Sequence, residues 1–105
     1  MILSTTESIE GKQVIEVLGL VMANSVRARH VGKDIVAALR NIVGGEVEEY
    51  TKLLAQSREL AVRRMSERAE DMGANAVVGT RFITAGITSG AAEILAYGTA
   101  VIIQE

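Results

Sequence analysis

Two stretches near the C-terminus decide the fold: Ala76-Val77-Val78-Gly79-Thr80-Arg81-Phe82-Ile83-Thr84-Ala85 and Glu93-Ile94-Leu95-Ala96-Tyr97-Gly98-Thr99-Ala100-Val101-Ile102-Ile103. Both are rich in β-branched, aliphatic and small residues, and Thr88-Ser89-Gly90 between them is a turn signal. They predict an antiparallel pair of strands. From Ala76 to Glu105 only Arg81, Glu93 and Glu105 are charged. An antiparallel hairpin packed on one side shows its other face to water, and this one has almost nothing polar to show. Something else must cover it, and a second copy of the chain is the expected cover.

Working outward, Val14-Ile15-Glu16-Val17-Leu18-Gly19-Leu20-Val21-Met22 is apolar at both alternating sets of positions, which predicts a strand buried on both faces. Ile2–Thr6 reads as a short strand before it, with Glu10-Gly11-Lys12 as the turn. Apolar residues at Ile35, Val36, Leu39, Ile42 and Val43 predict a short helix over Lys33–Val43, ended by Gly44-Gly45. A long helix follows over Glu46–Met72, with Val47, Tyr50, Leu53, Leu54, Leu60, Ala61, Met65, Ala69 and Met72 as its apolar stripe and Gly73 as its C-cap. The order β-β-α-α-β-β reads as α+β: an antiparallel sheet with the long helix on one face.

Composition narrows the function classes. The 105 residues are expected to form a single domain, 1–105, with an aliphatic core, because 49% of the chain is hydrophobic and only 3% aromatic. Without cysteine there is no disulfide, thiolate nucleophile or Cys-based metal site. The N-terminal residues lack the pattern of a signal peptide, and no uncharged apolar run reaches the length of a membrane span. A soluble, cytoplasmic protein is expected. A net charge of −2 gives no support to nucleic-acid binding.

The stretches Ser4-Thr5-Thr6, Leu39-Arg40-Asn41-Ile42-Val43-Gly44-Gly45-Glu46, Tyr50-Thr51-Lys52-Leu53-Leu54, Gly73-Ala74-Asn75-Ala76-Val77-Val78-Gly79 and Ala96-Tyr97-Gly98-Thr99-Ala100-Val101 together resemble the YbjQ-like family, which carries a heavy-metal-binding label and no established activity. The resemblance spans essentially the whole chain. It implies a dodecin-like α+β subunit and a homopentamer whose strands contribute to an inter-subunit β-structure. Some relatives carry a Gly-Glu pair after the first buried strand; Ala23-Asn24 stands at that place here, so that carboxylate is missing.

Donor chemistry limits what that label can mean here. Soft metals favour thiolate, thioether and imidazole ligands, and the chain has one histidine, His30. One subunit cannot make a tetrahedral site from it. What remains is a divalent metal held by His30 with Asp34, or a ring of His30 residues around a symmetry axis. Met65 and Met72 sit on the helix stripe and read as core.

Three further clusters stand out. Arg27, Arg29, His30 and Lys33 precede or open the short helix, where a phosphate or nucleotide could dock on free N–H groups; a solvated surface segment is the blander reading. Arg81 and Glu93, isolated in the low-charge hairpin, are expected to pair across strands or between subunits and, with Tyr97, to serve assembly. Gly86–Ala92 reads as a loop of small residues that allows close backbone approach, which suits a ligand or neighbouring copies around an axis, with packing as the blander reading. A single histidine builds no catalytic triad. The function expected is a non-enzymatic homo-oligomeric module for a small ligand or partner.

Overall fold

The computed structural model describes residues 1–27, 48–88 and 91–104. They form β1 (Ile2–Leu3), β2 (Val14–Arg27), a helix α1 (Glu48–Asp71), β3 (Ala76–Thr88) and β4 (Ala91–Ile103). The short helix expected over Lys33–Val43 and its Gly44-Gly45 stop lie outside the described residues. No described helix is long and apolar enough to cross a membrane.

The strands make one sheet of four in the order β1-β3-β4-β2. The predicted hairpin is there: β3 and β4 pair antiparallel from Ala76↔Val101 to Thr88↔Ala91. Its strands run further than the sequence suggested and absorb most of the Gly86–Ala92 segment read as a loop. On the other side of β4, β2 pairs antiparallel from Val14↔Ile103 to Arg27↔Ala92.

The expectation of a wholly antiparallel sheet is corrected by β1, which runs parallel to β3 through Ile2↔Ala76 and Leu3↔Val77. It does not form a hairpin with β2, because residues 4–13 cross the width of the sheet to reach the opposite edge. Hydrogen bonds fasten that crossing to β3. The Ser4 amide donates to the Val77 carbonyl (2.9 Å), Gly79 N–H to Thr6 O (2.8 Å) and Thr80 N–H to Ser4 O (2.9 Å). The hydroxyls of Ser4 and Thr6 bond to each other, and Thr6 Oγ1 donates to the Ser8 carbonyl. Lys12 N–H donates to Ile9 O (3.0 Å) in the expected turn.

Helix α1 ends as its sequence requires. Gly73 has φ +95°, its N–H donates to Glu70 O, and Ala74 N–H donates back to Ala69 O (3.0 Å). This double closure satisfies carbonyls that the last turn would otherwise leave open.

The seam between helix and sheet is made of small residues. Ala61, Met65 and Ala69 of α1 are fully buried against Val21 and Ala23 of β2, Ile94, Ala96 and Ala100 of β4, and Val77 of β3. Alanine on both sides lets the helix backbone approach closely. Gly79 (φ +63°) and Thr80 together oppose Gly98, a bulge of two residues against one. A Cβ on Gly98 would meet Val77 Cγ1 at 2.7 Å and the Val78 carbonyl oxygen at 3.0 Å.

A second, smaller cluster lies on the other face at the base of the sheet. Ala76, Val78, Val101 and Ile103 pack there under Ile9 and Val14. Above that cluster the face is bare. The expectation that β2 is buried on both faces therefore fails within one chain: Val21, Ala23 and Ser25 are buried, while Val17, Leu20, Met22 and Val26 are exposed.

The close approach at Gly98 gives a direct test. Gly98→Ala should lower the free energy of unfolding by about 1–3 kcal/mol in guanidinium denaturation. Gly86→Ala, where added atoms meet open space, should stay within about 0.5 kcal/mol of the parent.

Candidate functional site

The register assigns each side chain to a face. Val101, at the base of the face away from α1, shares that face with Thr99, Tyr97, Leu95 and Glu93 along β4. Opposite them on β2 stand Val17, Leu20, Met22, Asn24 and Val26, and on β3 stand Arg81, Ile83 and Ala85. Val17 is 65% exposed, Leu20 64%, Val26 51% and Ile83 51%. Among the described residues the largest fully buried side chains are Met65, Val77, Val101 and Ser25. Among the described residues the core is mostly alanine and valine, with Met65, Ile94 and Ile103, while Leu20, Met22 and Ile83 stay exposed, which is not the pattern of a self-sufficient core.

Polar side chains interrupt this apolar surface. Asn24 Nδ2 donates to Glu93 Oε2 (2.8 Å) across β2 and β4, partly buried. Arg81 Nη1 donates to the carbonyls of Thr5 (2.8 Å) and Thr80 (2.9 Å). Arg81 and Glu93 therefore do not pair with each other within the chain: their register partners, Tyr97 for Arg81 and Ala85 for Glu93, set them four residues apart along the hairpin. Tyr97 stands between Arg81 and Met22, half-buried.

The edges of the sheet differ. At β2, Arg64 Nη1 donates to the Asn24 carbonyl (2.9 Å) and Arg68 Nη1 to the Met22 carbonyl (2.7 Å). These arginines, one helical turn apart, reach over the edge and occupy alternate outward carbonyls of β2. Charge-assisted bonds of this kind are the stronger ones, and they blunt an edge open to strand addition. At the other edge β1 covers only Ala76 and Val77 of β3. No described strand flanks β3 from Arg81 to Thr88. Under α1, Ser25 Oγ donates to the Ser57 carbonyl (2.8 Å), locking β2 to the helix.

The metal candidates His30 and Asp34 lie outside the described residues, as do Arg29 and Lys33 of the basic segment. Arg27 closes β2 opposite Ala92. Among the described residues no three His, Cys, Asp or Glu side chains come together. The residues that sequence reasoning missed are Asn24, Arg64 and Arg68. On a helix, Arg64 and Arg68 look like solvated cations, and nothing local to them signals the strand they reach.

The chain shares this architecture and sequence with known proteins. Residues 1–104 match the model of the YbjQ family described as "Putative heavy-metal-binding". The chain is 52% identical over 104 residues to a UPF0145 protein of Dehalococcoides mccartyi, covering 99% of this chain and all of the relative. It is 54% identical to one from Methanosarcina acetivorans, covering 96% and 95% of the two chains, and 55% identical to one from Archaeoglobus fulgidus, covering 96% and 94%. A crystal structure of a protein of unknown function from Pediococcus pentosaceus, of the DUF74 family, superposes with a TM-score of 0.68 at 14% identity. It covers 99% of this chain and 98% of that one, and it bears on the fold alone. The chain belongs to the YbjQ family.

The role of Arg81 as a clamp on the crossing segment can be read by amide exchange. Arg81→Ala should speed exchange at Gly79 and Thr80, whose N–H groups bond to Thr6 and Ser4. The expected acceleration is about fivefold, for a bond worth about 1 kcal/mol. The amides of α1 should be unaffected.

Proposed function

We propose that this member of the YbjQ family is a non-enzymatic, cytoplasmic module of one domain that works as a closed homo-oligomer, a pentamer, and holds a small ligand or partner where its copies meet. The observation that carries the reading is the open sheet face. Leu20, Met22, Val26, Ile83 and Leu95 form one apolar surface, and exposed surfaces of this kind mark association sites. The shape of the chain points the same way. Its radius of gyration is 16.9 Å, against about 13 Å for a compact chain of this length. The number five and the dodecin-like order, with a short helix preceding α1, rest on the family resemblance. Arg81, Glu93 and Tyr97 interrupt the apolar face with polar groups, and polar groups at such a surface fix the register of the copies.

Light scattering tests the assembly. The protein should have a mass several times 11.2 kDa at micromolar concentration. Leu20→Asp, which buries a charge at the interface, should shift it to 11.2 kDa. A monomeric parent would overturn the proposal.

The family description favours a second reading, a metal shared between copies through His30 and Asp34. It predicts a zinc or copper titration signal in calorimetry that His30→Ala abolishes. An unchanged signal in that variant would remove the site.

A further inference from the structure

The open face carries a hollow at its base, and Arg81 stands in its lining. It is a broad depression, open to solvent, that lies where the crossing segment ends and the bare sheet begins, with a volume of about 580 Å³. Val14 and Val17 of β2, Val78 of β3 and Val101 of β4 line it, and Thr99, Arg81 and Glu7 supply its polar groups. The size falls within the range of about 300–1,000 Å³ typical of small-molecule sites, as does the pattern of an apolar wall with a few polar groups.

We propose that this cavity binds a small organic monoanion with an apolar body, its carboxylate on Arg81 and its hydrocarbon against the valines. The position of Arg81 carries the argument. Its Nη1 is held by the carbonyls of Thr5 and Thr80, so the guanidinium is already fixed before a ligand arrives. Its Nε and Nη2 make no hydrogen bond to a described residue and keep the planar fork that suits a carboxylate. No described carboxylate neutralises it. Glu7, the other charged group of the cavity, makes no ion pair with it. That second charge sets the class of ligand: a multiply charged phosphate is repelled at the Glu7 side, whereas a single carboxylate at the Arg81 side is not. Thr99 adds a hydroxyl that can donate or accept.

The proposal names the ligand class for the ligand-holding part of the function above and rests on it. All of the lining residues come from one chain, and in the assembly a neighbouring copy covers the site without supplying its anchor.

Calorimetric titration with octanoate, acetate and 1-octanol tests it. Octanoate should bind at least about tenfold more tightly than acetate, which lacks the body, and than 1-octanol, which lacks the charge. Arg81→Gln should weaken octanoate by about tenfold or more and leave 1-octanol unchanged. Val17→Phe, which fills the cavity without touching the Arg81 bonds, should weaken octanoate as well. Octanoate binding no tighter than 1-octanol, or binding equal in the parent and both variants, overturns the proposal. Light scattering on the same samples separates the two readings. A monomer that binds octanoate through Arg81 refutes the assembly and keeps the site. An oligomer indifferent to octanoate does the reverse.

Discussion

The one described helix covers one face of the sheet, and the rest of the described structure follows from that limit. The covered face is built for closeness rather than bulk. Ala61 and Ala69 meet Ala23, Ala96 and Ala100, and Gly98 admits Val77 where no Cβ would fit. Such a seam holds the helix tightly but buries little area per residue, and hydrophobic stabilisation scales with area. Most of the large aliphatic side chains of β2 are on the other side, where among the described residues the crossing segment at the base is the cover. The chain alone leaves much of its hydrophobic free energy unrealised, and association recovers it.

The edges of the sheet fit the same logic. A long apolar strand such as β2 at an edge invites uncontrolled pairing. Arg64 and Arg68 occupy its outward carbonyls at Met22 and Asn24, which makes that edge a poor template over its middle. The outer edge of β3 beyond Arg81 has no such guard among the described residues. Unequal edges and an apolar face direct association to particular surfaces, as a closed ring of copies requires.

Much of the fold was legible in the sequence because it is written in local patterns. The near-chargeless stretch from Ala76 to Ile103 gives β3 and β4, and the residues flanking Gly73 give the end of α1. Three features are not local. The parallel pairing of β1 depends on which way residues 4–13 turn, and no periodicity in Ile2–Thr6 encodes that. The extension of β2 to Arg27 was hidden because Ala23, Asn24 and Ser25 are small or polar. Ser25 is buried only because the Ser57 carbonyl is waiting for its hydroxyl. The apolar character of both faces of Val14–Met22 was read as burial on both sides, yet within one chain burial stops at the helix side. That apparent failure is what the open face consists of.

The central claim is that sibling copies cover the sheet face opposite α1. Two methionines provide an internal comparison. In the single chain Met22 is 41% exposed on that face, and Met72, at the end of the helix, is 38% exposed. Peroxide oxidises methionine according to its exposure, so the isolated chain would lose both at similar rates. Peptide mass spectrometry during mild oxidation of the native protein should show Met72 converting to the sulfoxide while Met22 stays protected. Equal rates at the two positions would contradict the account.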